Sequence, residues 1–205
     1  MIHIIRHNPT DSSILQKDSF KISPTIIKYR CLPAEWQKLG LSRYDCDGFR
    51  LVGQVVPGDW DMVVEAYENC WVYKSFKDVY VGKKKWEETL YPAQFCAKVS
   101  WNETFHGYKS WSKFRELYLG AKIKQIYKDF KAGKIVKQKE IHTEIEVAIG
   151  RAGEIIFVDG RHRMALARLL GLPYVYVVVD FIHQEWLSGN ADACSVDELL
   201  RRAVG

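Results

Sequence analysis

The chain has 205 residues, 47% of them hydrophobic, and a formal net charge of +5. That is apolar material for one domain, or for one domain with a sizeable insertion, and the modest positive excess fits an anionic ligand without demanding nucleic acid. No apolar run reaches the ~18–20 residues that span a bilayer, and residues 1–7 lack the long apolar core of a signal peptide. The five cysteines (Cys31, Cys46, Cys70, Cys96 and Cys194) are scattered and odd in number, with no C-x-x-C or zinc spacing. They predict reduced thiols in a cytoplasmic protein.

The first 50 residues are cut into short pieces by Pro9, Pro24, Pro33 and Gly40. A short strand is expected over 26–30 and a helical turn at 33–36, with Pro33 at its first position. A second strand over 49–56 runs into the turn 57–61. Asp61 fits the N-cap of a helix over 62–79, because its carboxylate can accept amides of the first turn. Val64, Tyr67, Trp71 and Val72 follow helical spacing, and Gly82 stops it. Residues 86–118 read as helical with breaks near Pro92 and Gly107. A helix over 121–132 buries Ile123, Ile126, Tyr127 and Phe130 and ends at Gly133.

After this the pattern alternates. Ile145, Val147 and Ile149 face one way while Glu144 and Glu146 face the other, 150–153 is a hairpin turn, and 155–158 is the return strand. Residues 161–170 form a helix that buries Ala165, Leu166, Leu169 and Leu170 and ends at Gly171 and Pro173. Residues 174–179 are apolar on both faces, as in a strand covered on two sides. The expected architecture is α/β (α+β): one domain over 1–205, a small mixed sheet with a helical insertion at 62–120 and a motif-bearing core at 121–186.

The chemistry concentrates at Asp159-Gly160-Arg161-His162-Arg163, between a strand and a helix. A helix N-terminus leaves N–H groups unpaired and carries partial positive charge. Arg161, His162 and Arg163 add to it, which makes a candidate phosphate pocket, with Gly160 allowing backbone amides to approach. Asp159 could orient His162, hold a metal or cap the helix. Asp59 and Asp61 suit a catalytic base and a magnesium ligand, and equally a turn former and an N-cap. Glu146, and His183, Glu185 and Trp186 after the last strand, could line a cleft.

The hairpin, the Asp-Gly-x-His-Arg turn, the helix ending in Leu-Gly and the apolar strand together resemble the ParB/sulfiredoxin superfamily, over about 40 residues (146–186). The Gly53…Gly58-Asp59-Trp60-Asp61 and Trp86-Glu87-Glu88-Thr89 elements look similar to ParB-like proteins often found beside polysaccharide-biosynthesis genes. In sulfiredoxins the turn carries a catalytic cysteine. Arg161 occupies that position here, so sulfinic acid reduction is not expected. In chromosome-partitioning members the turn binds CTP and a helix-turn-helix domain follows. The roughly 20 residues after Trp186 are too few for that domain. Free serine kinases keep the Gly-x-His-Arg turn and draw an acidic base from elsewhere. The resemblance therefore implies a nucleotide-binding protein, with ATP and Mg²⁺, acting as a kinase or other phosphotransferase on a small-molecule or carbohydrate acceptor. Gly160, His162 and Arg163 would hold phosphate, and Asp59 or Asp61 would serve as base or metal ligand. The alternatives are a non-catalytic nucleotide- or DNA-binding regulator and a ParB-like nuclease. Dispersed charge weighs against DNA.

Overall fold

A computed structural model describes residues 5–7, 19–41, 50–100, 103–135, 144–193 and 195–205. In chain order the elements are β1 (Ile5–His7), β2 (Phe20–Ile22), β3 (Tyr29–Cys31), α1 (Pro33–Lys38), β4 (Arg50–Val52), β5 (Gln54–Val56), β6 (Val64–Ala66), α2 (Trp71–Tyr80), α3 (Tyr91–Ser100), α4 (Trp111–Lys113), α5 (Lys124–Lys131), β7 (Ile145–Ile149), β8 (Ile155–Asp159), α6 (Arg161–Leu169), β9 (Val175–His183), α7 (Gln184–Gly189) and α8 (Val196–Val204). The fold is mixed α/β. It groups into a sheet unit (1–67, 136–160 and 173–205) and a helical unit (68–135 and 161–172). None of the described helices is long and apolar enough to cross a membrane.

The sheet unit holds a seven-stranded mixed sheet in the order β2-β9-β7-β8-β3-β6, with β5 also on β9. β9 runs parallel to β7 and β5 and antiparallel to β2. All five residues of β7 are buried, and so are most of β9, as expected for strands covered on both faces. One cluster of this core joins Trp36, Trp60 and Phe181 to Ala148 and Ile156. Trp36 and Trp60 meet edge to face at 5.0 Å, a favoured arrangement of ring quadrupoles. The indole nitrogens are not stranded by this burial: Trp36 donates to the Val63 carbonyl at 3.0 Å and Trp60 to the Val56 carbonyl at 3.1 Å.

The structure corrects the expected helix over 62–79. Residues 64–66 form an edge strand antiparallel to β3, with Cys31 opposite Val64 and Tyr29 opposite Ala66, and α2 starts only at Trp71. Sheet pairing of the β-branched Val64 outweighs the local helical spacing. Pro92 does not break a helix but sits in the first turn of α3, where its missing N–H costs nothing. The strand expected over 49–56 is split at Gly53, which takes φ +70°. β9 extends four residues past the expected end and so includes Phe181, Ile182 and His183.

The helical unit is packed on aromatic rings. Phe76, Tyr91, Phe95, Phe105 and Phe114 are buried together with Leu119, Ile123, Ala165 and Leu166. Between α4 and α5 the chain stays helical but widens into a ten-residue π-helical stretch, Phe114–Ile123. Such wide turns are rare and tend to occur at functional sites. Phe76 is fully buried and lies within 6.1 Å of the rings of Tyr80, Trp86, Tyr91 and His162. Phe76→Ala should therefore lower stability by about 3–5 kcal/mol, read from denaturant unfolding followed by near-ultraviolet circular dichroism.

Candidate functional site

The Asp-Gly-x-His-Arg turn begins at the end of β8. Gly160 has φ +88°, and a Cβ there would lie 2.9 Å from the Ile145 backbone, so glycine is required twice over, for conformation and for space. Its N–H donates to the Asp159 carboxylate at 2.7 Å. Asp159 thus holds the amide of the glycine that precedes α6.

Arg161, His162 and Arg163 form the first turn of α6, in the helical unit. The Arg161 guanidinium lies 5.9 Å from the Trp71 ring centre, within cation–π range. Arg163 is half-buried. His162 points inward and is 8% exposed. Its ring stacks near Tyr91 at 6.2 Å and lies 5.7 Å from Phe76, 5.2 Å from His106 and 5.4 Å from Tyr118. Nδ1 is 3.3 Å from the Tyr118 hydroxyl, while Nε2 is buried with no hydrogen-bond partner among the described residues. Burial, reinforced by His106, Arg161, Lys122 and Arg163, pushes its pKa well below 6.5. His162 is a neutral ring that seats α6 in the aromatic core, and the cations at this helix start are the two arginines.

The second candidate locus lies wholly in the sheet unit. Arg151, in the β7–β8 hairpin turn, reaches back 90 residues to the acidic turn. Its Nε donates to both oxygens of Asp61 (3.2 and 3.0 Å), and its Nη2 donates to Asp61 Oδ1 (2.8 Å), Asp59 Oδ1 (2.7 Å) and the Gly58 carbonyl (3.1 Å). The Arg151 backbone N–H adds a bond to Asp61 Oδ2 at 2.9 Å. The Asp61 side chain is fully buried, whereas that of Asp59 is 82% exposed. His183 Nε2 donates to the same Gly58 carbonyl at 2.7 Å, and its Nδ1 accepts from the Glu185 N–H at 3.1 Å. That pattern specifies the neutral Nε2–H tautomer.

Asp61 therefore does not cap a helix; it ties the 57–61 turn to the hairpin. Burial pushes its carboxyl up, but the Arg151 bonds outweigh this and hold the pKa below 3.8. The arginine was invisible as a partner because its sequence context shows only a hairpin turn. Glu146 is buried, not lining an open face. His183 and Glu185, with Pro57, Gly58, Gln184 and Ser188, do border a cleft of about 390 Å³. Trp186 packs on the hairpin, where a Cβ at Gly153 would fall 2.6 Å from its ring.

Among the described residues no three His, Cys, Asp or Glu side chains converge as a metal-holding group. Asp61 has given both oxygens to Arg151, and Asp59 shares that guanidinium. The acidic turn does not fit a resident divalent cation.

Comparison of the chain with family models, with curated proteins and with solved structures returned no match.

Two outcomes follow from the buried groups. Asp61→Ala strands a partly buried guanidinium and should cost roughly 2–3 kcal/mol, toward the low side because Arg151 retains some solvent. Because the folded pKa of Asp61 is depressed, its contribution is present above pH 3.8 and lost as pH falls through the lower folded value; the variant's acid limb should be flatter than the parent's in urea unfolding. His162 is also depressed, so its contribution is full above pH 6.5 and declines as pH drops, when only the unfolded chain takes up the proton. His162→Phe should therefore shrink the stability difference between about pH 7.5 and 5.5. An unchanged difference would mean that the imidazole is not held neutral.

Proposed function

We propose that this chain is a nucleotide-binding protein of ParB/sulfiredoxin type, with Arg161 and Arg163 as the cations that meet the ligand's phosphates. The observation that carries the reading is the distribution of charge, which the two units concentrate where the sequence alone reads as dispersed. The helical unit holds 17 lysines and arginines against 7 aspartates and glutamates, a net +10; the rest of the chain holds 13 against 18, a net −5. The two arginines stand where α6 exposes unpaired N–H groups and the positive end of its dipole. Neutral His162 adds no charge. Its anchoring in the aromatic core fixes where its two neighbours stand, and a preorganised guanidinium grips phosphate oxygens with less loss of freedom. ATP is the nucleotide that the resemblance implies.

Phosphoryl transfer to a small-molecule or carbohydrate acceptor is the second reading. It needs a carboxylate able to take a proton from the acceptor. Asp61 is committed to Arg151. Asp59, exposed on its other side, is the residue of the acidic turn that keeps this reading open.

A thermal-shift series with ATP, ADP, CTP and GTP, with and without Mg²⁺, tests the binding reading. A ligand at a hundred times its Kd should add ~2.7 kcal/mol of stability. Arg163→Ala should remove that gain and leave the unliganded melting temperature nearly unchanged. A parent protein that answers to none of the four, or a variant that answers fully, would refute it. In the transfer reading, Asp59→Asn lowers phosphate turnover ~10²–10⁴-fold at unchanged nucleotide affinity. A DNA-binding regulator or nuclease would instead show duplex binding that falls steeply with salt.

A further inference from the structure

The helical unit contains a cleft that the α6 turn does not use. It measures about 370 Å³ and is lined by Tyr80, Trp86, Leu119, Lys124, Tyr127 and Lys128, among others. This is the size of a small-molecule site. Trp71, beside Arg161, and Tyr80 stand at opposite ends of α2, nine residues and roughly 13 Å apart along the helix axis.

Three features of the lining point to a ligand with a planar ring and an anionic group. Tyr80 and Tyr127 are stacked at 4.2 Å with their planes 15° apart, and Trp86 stands edge-on to Tyr80 at 6.1 Å. A third planar ring can continue such a stack, as bases do on aromatic side chains. Burial, aided by the neighbouring Tyr127 hydroxyl, pushes Tyr80 up to about 12, so it stays an O–H donor.

Lys124 and Lys128 sit four residues apart on exposed turns of α5, and neither has an ion pair among the described residues. Lys84, Lys98 and Lys134 in the same unit are paired with Asp78, Glu103 and Asp129. Two unpaired like charges one turn apart oppose helix formation, an opposition that an anion between them removes. The floor, Leu119 and Gly120, belongs to the π-helical stretch, and Gly120 leaves it without a side chain at that point.

We infer that this cleft binds a nucleoside monophosphate, its base against the tyrosine pair and its phosphate between Lys124 and Lys128. Stacking supplies the ring recognition, and the lysines act as point charges on the phosphate.

Isothermal titration calorimetry with AMP tests this on the full chain, in the parent, in Arg163→Ala and in the double variant Lys124→Gln/Lys128→Gln. Equal melting temperatures establish that the exposed lysine changes leave the fold intact. AMP should bind the double variant at least about tenfold more weakly than the parent, and the AMP binding that survives in Arg163→Ala should be lost when the two lysine changes are added to it. Adenosine and inorganic phosphate should each bind the parent more weakly than AMP. Binding lost in Arg163→Ala but kept in the double variant would overturn the cleft and leave the α6 turn as the nucleotide site. No AMP binding to the parent, or binding of a single-stranded oligonucleotide without AMP, would also overturn it. If ATP stabilisation through Arg163 fails while AMP still depends on the two lysines, the cleft stands and the α6 reading falls.

Discussion

Nine residues of β9 set the architecture of the sheet unit. On one side the strand runs parallel with β7; on the other it takes β2 at its first three residues and β5 at its last three. The placements that build the acidic-turn locus pass through that strand. β7 positions the hairpin that carries Arg151, β5 leads into Gly58 and the acidic turn, and β9 itself ends on His183. The ion pair and the His183 bond to Gly58 are therefore consequences of register: a one-residue slip would turn each of these side chains to the opposite face.

The signals that reach across a few residues were legible in the sequence. The β7–β8 hairpin, α6 with its glycine stop and the apolar run of β9 are written in alternation, in helical spacing and in turn residues, and the structure bears them out. What was not legible came from distance. Val64 has the same spacing whether it joins a helix or an edge strand, and only the presence of β3 decides between them. Asp61 looks like a cap because nothing nearby says that Arg151, 90 positions on, will take its carboxylate. His162 reads as a phosphate ligand from its neighbours in the motif. Its burial depends on Phe76, Tyr91, His106 and Tyr118, from segments outside that motif.

The burial of His162 changes how the basic turn is understood. A protonated imidazole beside two arginines would repel them. Placing it in an aromatic core keeps it uncharged and turns it into a wedge that fixes α6. The sequence Arg-His-Arg thus divides its work between orientation and charge, which a count of basic residues would not reveal.

A similar concealment operates on the scale of the chain. The formal charge of +5 is the sum of a helical unit at +10 and a sheet unit at −5. Near physiological ionic strength a charge is felt over only about 8 Å, so an approaching molecule responds to the unit it meets, not to the mean. One consequence concerns the protein's own copies. At the pH where net charge passes through zero, each molecule still carries a cationic and an anionic region, and neighbouring copies attract through them. Added salt screens that attraction, so solubility there should rise with ionic strength: a salting-in protein, whose mild overall charge gives no warning of it.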